Sequence, residues 1–428
     1  MAAGGAGGRL GARQGKKRIV LTASSDHLID TPYAWRRLVV ALLICTIGGV
    51  GMWSVVVALP AVQAEFGVDR GIASLPYTLL MAGYATGGVL MGKLSDRFGV
   101  ATTIGGGAAF LTAGYVLSAL STNIWQFMAA HGVLIAFLGS SATFGPLMAD
   151  MSFWFLKRRG LAVAICASGN YLAGTIWPPV VQHFIATVGW RATHIGIGAV
   201  CAVTLLPLTL LLRRRAPGHG PAAVVQAGAG PVLVLGLPPG VVQGLMAGAG
   251  VACCVAMATP QVHIVAYCGD LGYGAARGAE MLSLMLGFGI ISRLASGFVA
   301  DRIGGLPTLL IGSGLQGLAL VLFSMFDGLT SLYIISAMFG LFQGGLIPSY
   351  TIVVREIFPP REASVRVGTV LMATMLGMSL GGWLAGAIFD MTGTYIPAFL
   401  HGSAWNLLNF GICFSLWRRQ RTIRAALA

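Results

Sequence analysis

Apolar runs about twenty residues long, cut by short polar punctuations, recur from residue 38 almost to the end of the chain. A helix that crosses a bilayer takes about 20 mainly apolar residues. Twelve runs meet that length: 38–62, 71–92, 101–120, 124–150, 160–187, 193–212, 237–264, 278–300, 306–326, 330–353, 367–388 and 396–417. They are continuously apolar, whereas barrel strands alternate. The pattern predicts an all-α membrane protein with twelve transmembrane helices. Ahead of the first run lie Arg9, Arg13, Lys16, Lys17 and Arg18 with no apolar core, which predicts a basic tail rather than a cleaved signal.

Composition excludes a soluble fold. Of the 428 residues 56% are hydrophobic and 9% charged, against roughly 25% charged in a soluble domain. So few charges cannot clothe a water-facing surface, and the same numbers exclude disorder. The seven cysteines fall mostly inside apolar runs without metal spacing, so they read as small buried hydrophobes. No metal and no cofactor is expected. No phosphate loop, GxSxG or HExxH pattern occurs, so an enzyme is not expected either.

The net charge of +14 would suggest nucleic acid in a soluble chain. Here its placement is topological. With the N-terminus in the cytoplasm, 23 of the 27 Lys and Arg fall in the tails and inner loops. Arg70, Arg191 and Arg277 lie outside, and Arg293 lies within a span. This bias predicts cytoplasmic termini, in a plasma membrane of bacterial type. It leaves membrane lipid and a small solute as expected partners, no nucleic acid, and a monomer as the working unit.

The chain repeats itself. Gly-Lys-Leu-Ser-Asp-Arg-Phe-Gly at 92–99 returns as Gly-Phe-Val-Ala-Asp-Arg-Ile-Gly at 297–304. Asp150 follows Asp96 by 54 residues and Glu356 follows Asp301 by 55. The division read from this is a tail at 1–37, six helices at 38–212, an Ala/Gly/Pro-rich joint at 213–236, six helices at 237–417 and a tail at 418–428. Two related halves around a central site are a common transporter plan.

The paired Asp-Arg loops and the twelve spans resemble the major facilitator superfamily over residues 36–420. Three stretches resemble its monocarboxylate and oxalate:formate carriers. They are Leu59-Pro60-x-x-Gln63-x-Glu65-Phe66-Gly67-Val68, Trp154 to Ala162 with Gly189-Trp190-Arg191, and Ser292-Arg293 running into Asp301-Arg302. The resemblance implies rocker-switch alternating access of a secondary transporter. It implies a cytoplasmic gate in which Asp96 meets the start of span 11 and Arg97 lies near Asp150. Asp301, Arg302 and Glu356 would repeat that arrangement. Glycines four apart in spans 2 and 11, and small residues in spans 5 and 8, predict contacts of 2 with 11 and of 5 with 8 between the halves.

Arg293 stands eight residues before Asp301, about 12 Å deeper along a helix. A guanidinium at that depth costs at least about 2.5–3.5 kcal/mol unless it meets water, an anion or a partner. No carboxylate is assigned to the middle of any span. A lone forked cation in a cavity suits a carboxylate, which predicts a small organic anion as substrate. Tyr84, Asn170, Tyr171 and Gln343 are the expected lining. The acid that proton-coupled monocarboxylate carriers place one turn before this arginine is Gly289 here, and span 11 lacks a second cation. These absences favour a monoanion and exchange over proton-driven uptake. His131, His183, His194, His263 and His401 are expected as packing residues. The alternative is a drug exporter of the same fold, with Arg293 structural. The lack of any charge at 38–62 disfavours cationic drugs.

Overall fold

The computed structural model describes residues 29–155, 157–214 and 234–427. The first crossing is α1 (Pro32–Gly48) and α2 (Val50–Phe66), parted at Gly49, whose bare Cα lets Ala173 approach; a Cβ there would stand 2.6 Å from the Ala173 Cβ. Then come α3 (Arg70–Phe98) and α4 (Val100–Ala119). The fourth crossing is irregular: α5 (Ile124–Ala129), a π stretch (Ala130–Gly139), a 3-10 turn (Ser140–Thr143) and α6 (Gly145–Trp154). Irregular backbone in a membrane needs internal partners for its polar groups. Ser141 and Thr143 supply some, donating to the carbonyls of Phe137 and Ser140.

The segment α7 (Arg159–Leu210) is two crossings, turned at Gly189, where φ is +81° and a side chain would be strained. The rest are α8 (Pro239–Asp270), α9 (Ala275–Ile303), α10 (Gly305–Met325), α11 (Leu329–Gln343) with α12 (Leu346–Ile357), α13 (Pro360–Thr392) and α14 (Ile396–Leu427). Among the described residues nine helical stretches are long and apolar enough to cross a membrane, one of them the bent α7. The more polar α3 and α14 complete the twelve. Two expected edges move: the first helix starts at Pro32 rather than 38, and the 418–428 tail is helical to Leu427. Most of the 213–236 joint lies outside the described residues.

The two six-helix halves meet through α3 with α13 and α7 with α9, as the small residues predict. Gly382 lies against Tyr77, and Gly386 against Gly71 and Ser74. Gly83 and Gly87 do otherwise: they pack on Gly132 and Phe137 of the fourth crossing, inside their own half. Among the described residues, every hydrogen bond between halves lies toward one membrane face. They join Arg70 and Gly71 to Asp390, Arg70 to Asp270 and Tyr395, Thr78 to Ser379, and Ser283 to Thr175. This far face is shut. Pro32, the 157–159 loop and the end of α14 define the opposite, terminal face. There Asp96, Arg97, Asp301 and Arg302 are exposed.

Candidate functional site

Arg293 of α9 stands where the halves meet. Its guanidinium lies over the Tyr171 ring of α7, 4.3 Å from the centroid. Its Nε is buried without a hydrogen-bond partner, and no carboxylate among the described residues pairs with it. A cation on a ring face gains about 0.5–2 kcal/mol and keeps its fork free. Gly289, one turn earlier, has a reason to lack a side chain: a Cβ there would come within 2.5 Å of the Tyr171 ring. The acid of the resembling carriers and this Tyr–Arg stack would compete for one space.

The other expected lining residues divide. Tyr84 and Asn170 line a narrow cleft, with room for about one water, together with Gly48, Gly49, Met52 and Phe144, all in the N-terminal half. Asn170 precedes Tyr171 on α7, so cleft and stack are neighbours. The Trp53 indole donates to the Asn170 carbonyl and holds that turn. Gln343 is elsewhere. It is fully buried, accepting from the Gln261 amide at 2.6 Å, so it is engaged inside the C-terminal half.

The acids at the helix ends have partners other than those expected. Asp150 is held by Arg37 of α1 through two bonds, Nε to Oδ2 at 2.7 Å and Nη2 to Oδ1 at 3.1 Å, with both side chains 1% exposed. Arg97 therefore does not meet it; that guanidinium lies over Phe98 instead. A fork-to-fork pair satisfies a buried carboxylate better than one contact from an exposed side chain. Arg37, counted in the tail, is in fact inside the helix that starts at Pro32. Glu356 accepts from the Gly305 N–H at the start of α10, so it caps a helix rather than pairing with Arg302.

A second cluster, at the far face, was invisible in the sequence. Arg70 donates forked bonds to Asp270 of α8 at 2.9 and 3.1 Å, and a bond to the Tyr395 hydroxyl at 2.7 Å. Its Nε donates to Gln63 at 2.6 Å. Asp390 accepts from the backbone N–H of Arg70 and Gly71 at the start of α3. Asp270→Asn is expected to raise the population open at the far face. Spin labels at the exposed Thr187 and Thr330, one in each half, would read it as a longer distance. An unchanged distance would reduce the cluster to static fastening. Nearby, Glu65 accepts from both the Trp190 indole and Arg191, and Arg191 also donates to the carbonyls of Ala119 and Ser121. Two of the three resembling stretches thus bind each other.

The histidines at 131, 194, 263 and 401 are hydrogen-bonded packing residues in this conformation. Nδ1 of His131 meets the Phe127 carbonyl, and Nδ1 of His194 meets the Ser118 hydroxyl. His401 accepts from the Trp405 indole, and His183 lies edge-on to Phe184.

Comparison with known proteins agrees with this architecture. Monocarboxylate transporter 13 of Rattus norvegicus is 26% identical over 353 residues, spanning 81% of this chain and 79% of that protein. Monocarboxylate transporter 11 of Mus musculus is 28% identical over 342 residues, 73% of this chain and 72% of that protein. The MFS transporter asaE of Aspergillus flavus is 26% identical over 313 residues, 72% and 68%. These relatives are eukaryotic and lend no support to a bacterial membrane. Among solved structures, a bacterial homolog of the human lysosomal transporter Spinster, inward-facing and occupied, superposes with a TM-score of 0.71 at 14% identity, covering 91% of this chain and 98% of that one. The nucleoside transporter NupG gives 0.71 at 15%, covering 90% and 99%. The family model described as Major Facilitator Superfamily matches residues 40–332 and 281–426. The chain is an integral membrane transporter that belongs to the Major Facilitator Superfamily.

Proposed function

We propose that the protein is a secondary transporter of small organic anions, monocarboxylates above all, and that Arg293 binds the substrate carboxylate. The carrying observation is the Arg293 guanidinium, stacked on Tyr171 at the meeting of the halves, its Nε buried without an acceptor among the described residues. A carboxylate arriving from the terminal face supplies the two oxygens its fork lacks. A single unpaired cation at this depth, among the described residues, suits one negative charge. The relatives named as monocarboxylate transporters point the same way.

The moving bodies are the six-helix sets at 38–212 and 237–417, joined through 213–236. The terminal face, which carries most of the Lys and Arg, is the cytoplasmic one. Asp96, Arg97, Asp301 and Arg302 stand exposed there and form the gate that meets when this side closes. Asp150 and Glu356 hold the helix ends behind them. Tyr84 and Asn170 shape the cleft beside the stack.

Uptake into proteoliposomes tests the reading. A panel of mono- and dicarboxylates, neutral solutes and organic cations is expected to show transport of monocarboxylates and little of dicarboxylates. Transport of neutral or cationic solutes alone would remove it and favour an exporter of apolar compounds.

A further inference from the structure

We propose that His263 is a proton-binding site that lets pH at the far face open that face. His263 is wholly buried on α8, seven residues before Asp270. Its Nε2 lies 2.7 Å from the Gly382 carbonyl of α13, which can only accept, so Nε2 carries the proton. Nδ1 is then a bare acceptor in the neutral ring. At 2.9 Å it meets the Tyr395 hydroxyl, which donates to it. The same hydroxyl accepts from Arg70 Nη1 at 2.7 Å. Each donor in the chain Arg70 to Tyr395 to His263 to Gly382 has one acceptor, so the order is complete with the ring neutral.

A second proton on the ring breaks this order. Nδ1 would become a donor facing a hydroxyl that must then receive both Nδ1 and Arg70, while its own proton loses its acceptor. The new positive charge would also lie one hydroxyl away from Arg70. Around the ring, the charged groups are Arg70 of α3, Asp270 of α8 and Asp390 of α13, all met through Arg70 and Tyr395. The titratable neighbours are Tyr395, in the turn just before α14, and, on α8 itself, Tyr267, whose ring is 5.4 Å from that of Tyr395. Tyr77 of α3 lies against Gly382. From α9 the titratable groups at this face are Arg277 and Glu280, exposed and paired with each other, and α2 brings Gln63 and the Glu65 already engaged. None of these offers the second acceptor that an imidazolium needs.

The location makes the proton count. Tyr395 touches Arg70, and Gly382 touches Tyr77; both contacts join the halves at the shut face. A proton that unsettles His263 therefore loosens two cross-half contacts together. When the face opens, water can serve the extra N–H and screen it from Arg70. Protonation favours the open form by linkage, because the open form holds the proton more readily. The sign follows: acid at the far face opens it. This concerns how the far face is gated, beyond the proposed anion function, and is separate from the expectation that exchange is favoured over proton-driven uptake.

The test needs no substrate, so its outcome is independent of the Arg293 reading. Full-length protein in lipid nanodiscs carries spin labels at Thr187 and Thr330, and the distance distribution is taken from pH 8 to pH 5. A parallel titration uses Asp270→Asn, whose weaker latch brings the open form into range. The long-distance population is expected to grow relative to the short one by up to about tenfold per pH unit across the titration, the limit for one proton. The response is expected to vanish in His263→Gln and to survive in His183→Gln, each checked for an unchanged melting temperature. A flat titration in both the parent and Asp270→Asn overturns the proposal. So does a pH response retained in His263→Gln. If His263→Gln melts early, Tyr395→Phe serves instead: it removes the hydroxyl link, and an undiminished pH response there also overturns the proposal.

Discussion

Arg293→Ala is expected to lower the affinity for a small monocarboxylate by roughly 30-fold or more, since removing the charged partner of a buried anion costs about 2–5 kcal/mol. Among the described residues the side chain makes no hydrogen bond that its loss would break, and its buried Nε has no partner. It also removes a charge from the membrane interior, so the fold is expected to stand. Arg293→Lys should recover little, because an ammonium on a thin stem neither forks nor covers the Tyr171 ring. Tyr171→Leu should weaken binding by about tenfold, the loss of a desolvated cation–ring contact. Calorimetric titration of a monocarboxylate into each purified protein, matched for melting temperature, gives the comparison. Equal affinity in the parent and Arg293→Ala would return the arginine to a structural role.

Asp150→Ala is expected to destabilise the protein by about 3–5 kcal/mol, because it strands a charged Arg37 whose side chain is 1% exposed. Arg37 also ties the Leu212 carbonyl at the end of α7, so its loss of order would reach three helices. The double variant Arg37→Met with Asp150→Leu is expected to recover most of the loss, since a packed apolar pair needs no partner. Melting of the detergent-solubilised protein reads both. A single variant that melts with the parent would mean that water reaches the pair. Exposed Arg277 and Glu280 provide the contrast: their pairing is of the kind worth about 0–1 kcal/mol.

The residues legible in sequence were those whose meaning is local. Helices follow from runs of apolar residues, and the two halves follow from an eight-residue pattern that returns 205 positions later. Arg293 stood out because a charge at its depth needs a reason. Partners were not legible. Arg37 and Asp150 are 113 residues apart, and Arg70 reaches Asp270 and Tyr395 across 200 and 325. A tally of charges by membrane side gives each its sign and its face, but not its neighbour. It therefore set Arg37 in a tail and Arg70 in a loop, while the family resemblance placed Arg97 near Asp150. One signal was available: Gln63 and Glu65 are polar residues closing an apolar helix, and the structure gives each of them an arginine.

The Glu65 clasp has a mechanical consequence. It ties the end of α2 to Arg191 beyond the turn of α7, and through Arg191 to the carbonyls at 119 and 121 that close α4. Arg37 does the same at the opposite face for α1, α6 and the end of α7. Bolted at both ends, this half behaves as a stiff beam. When a stiff beam tips, each point travels in proportion to its distance from the pivot. Of the cross-half contacts described above, the Tyr171–Arg293 stack lies far along α9 from its shut-face end at Ala275, well away from that face. An anion held there would stay almost still while the beam ends swing, so its bonds need not be broken for the membrane to be crossed.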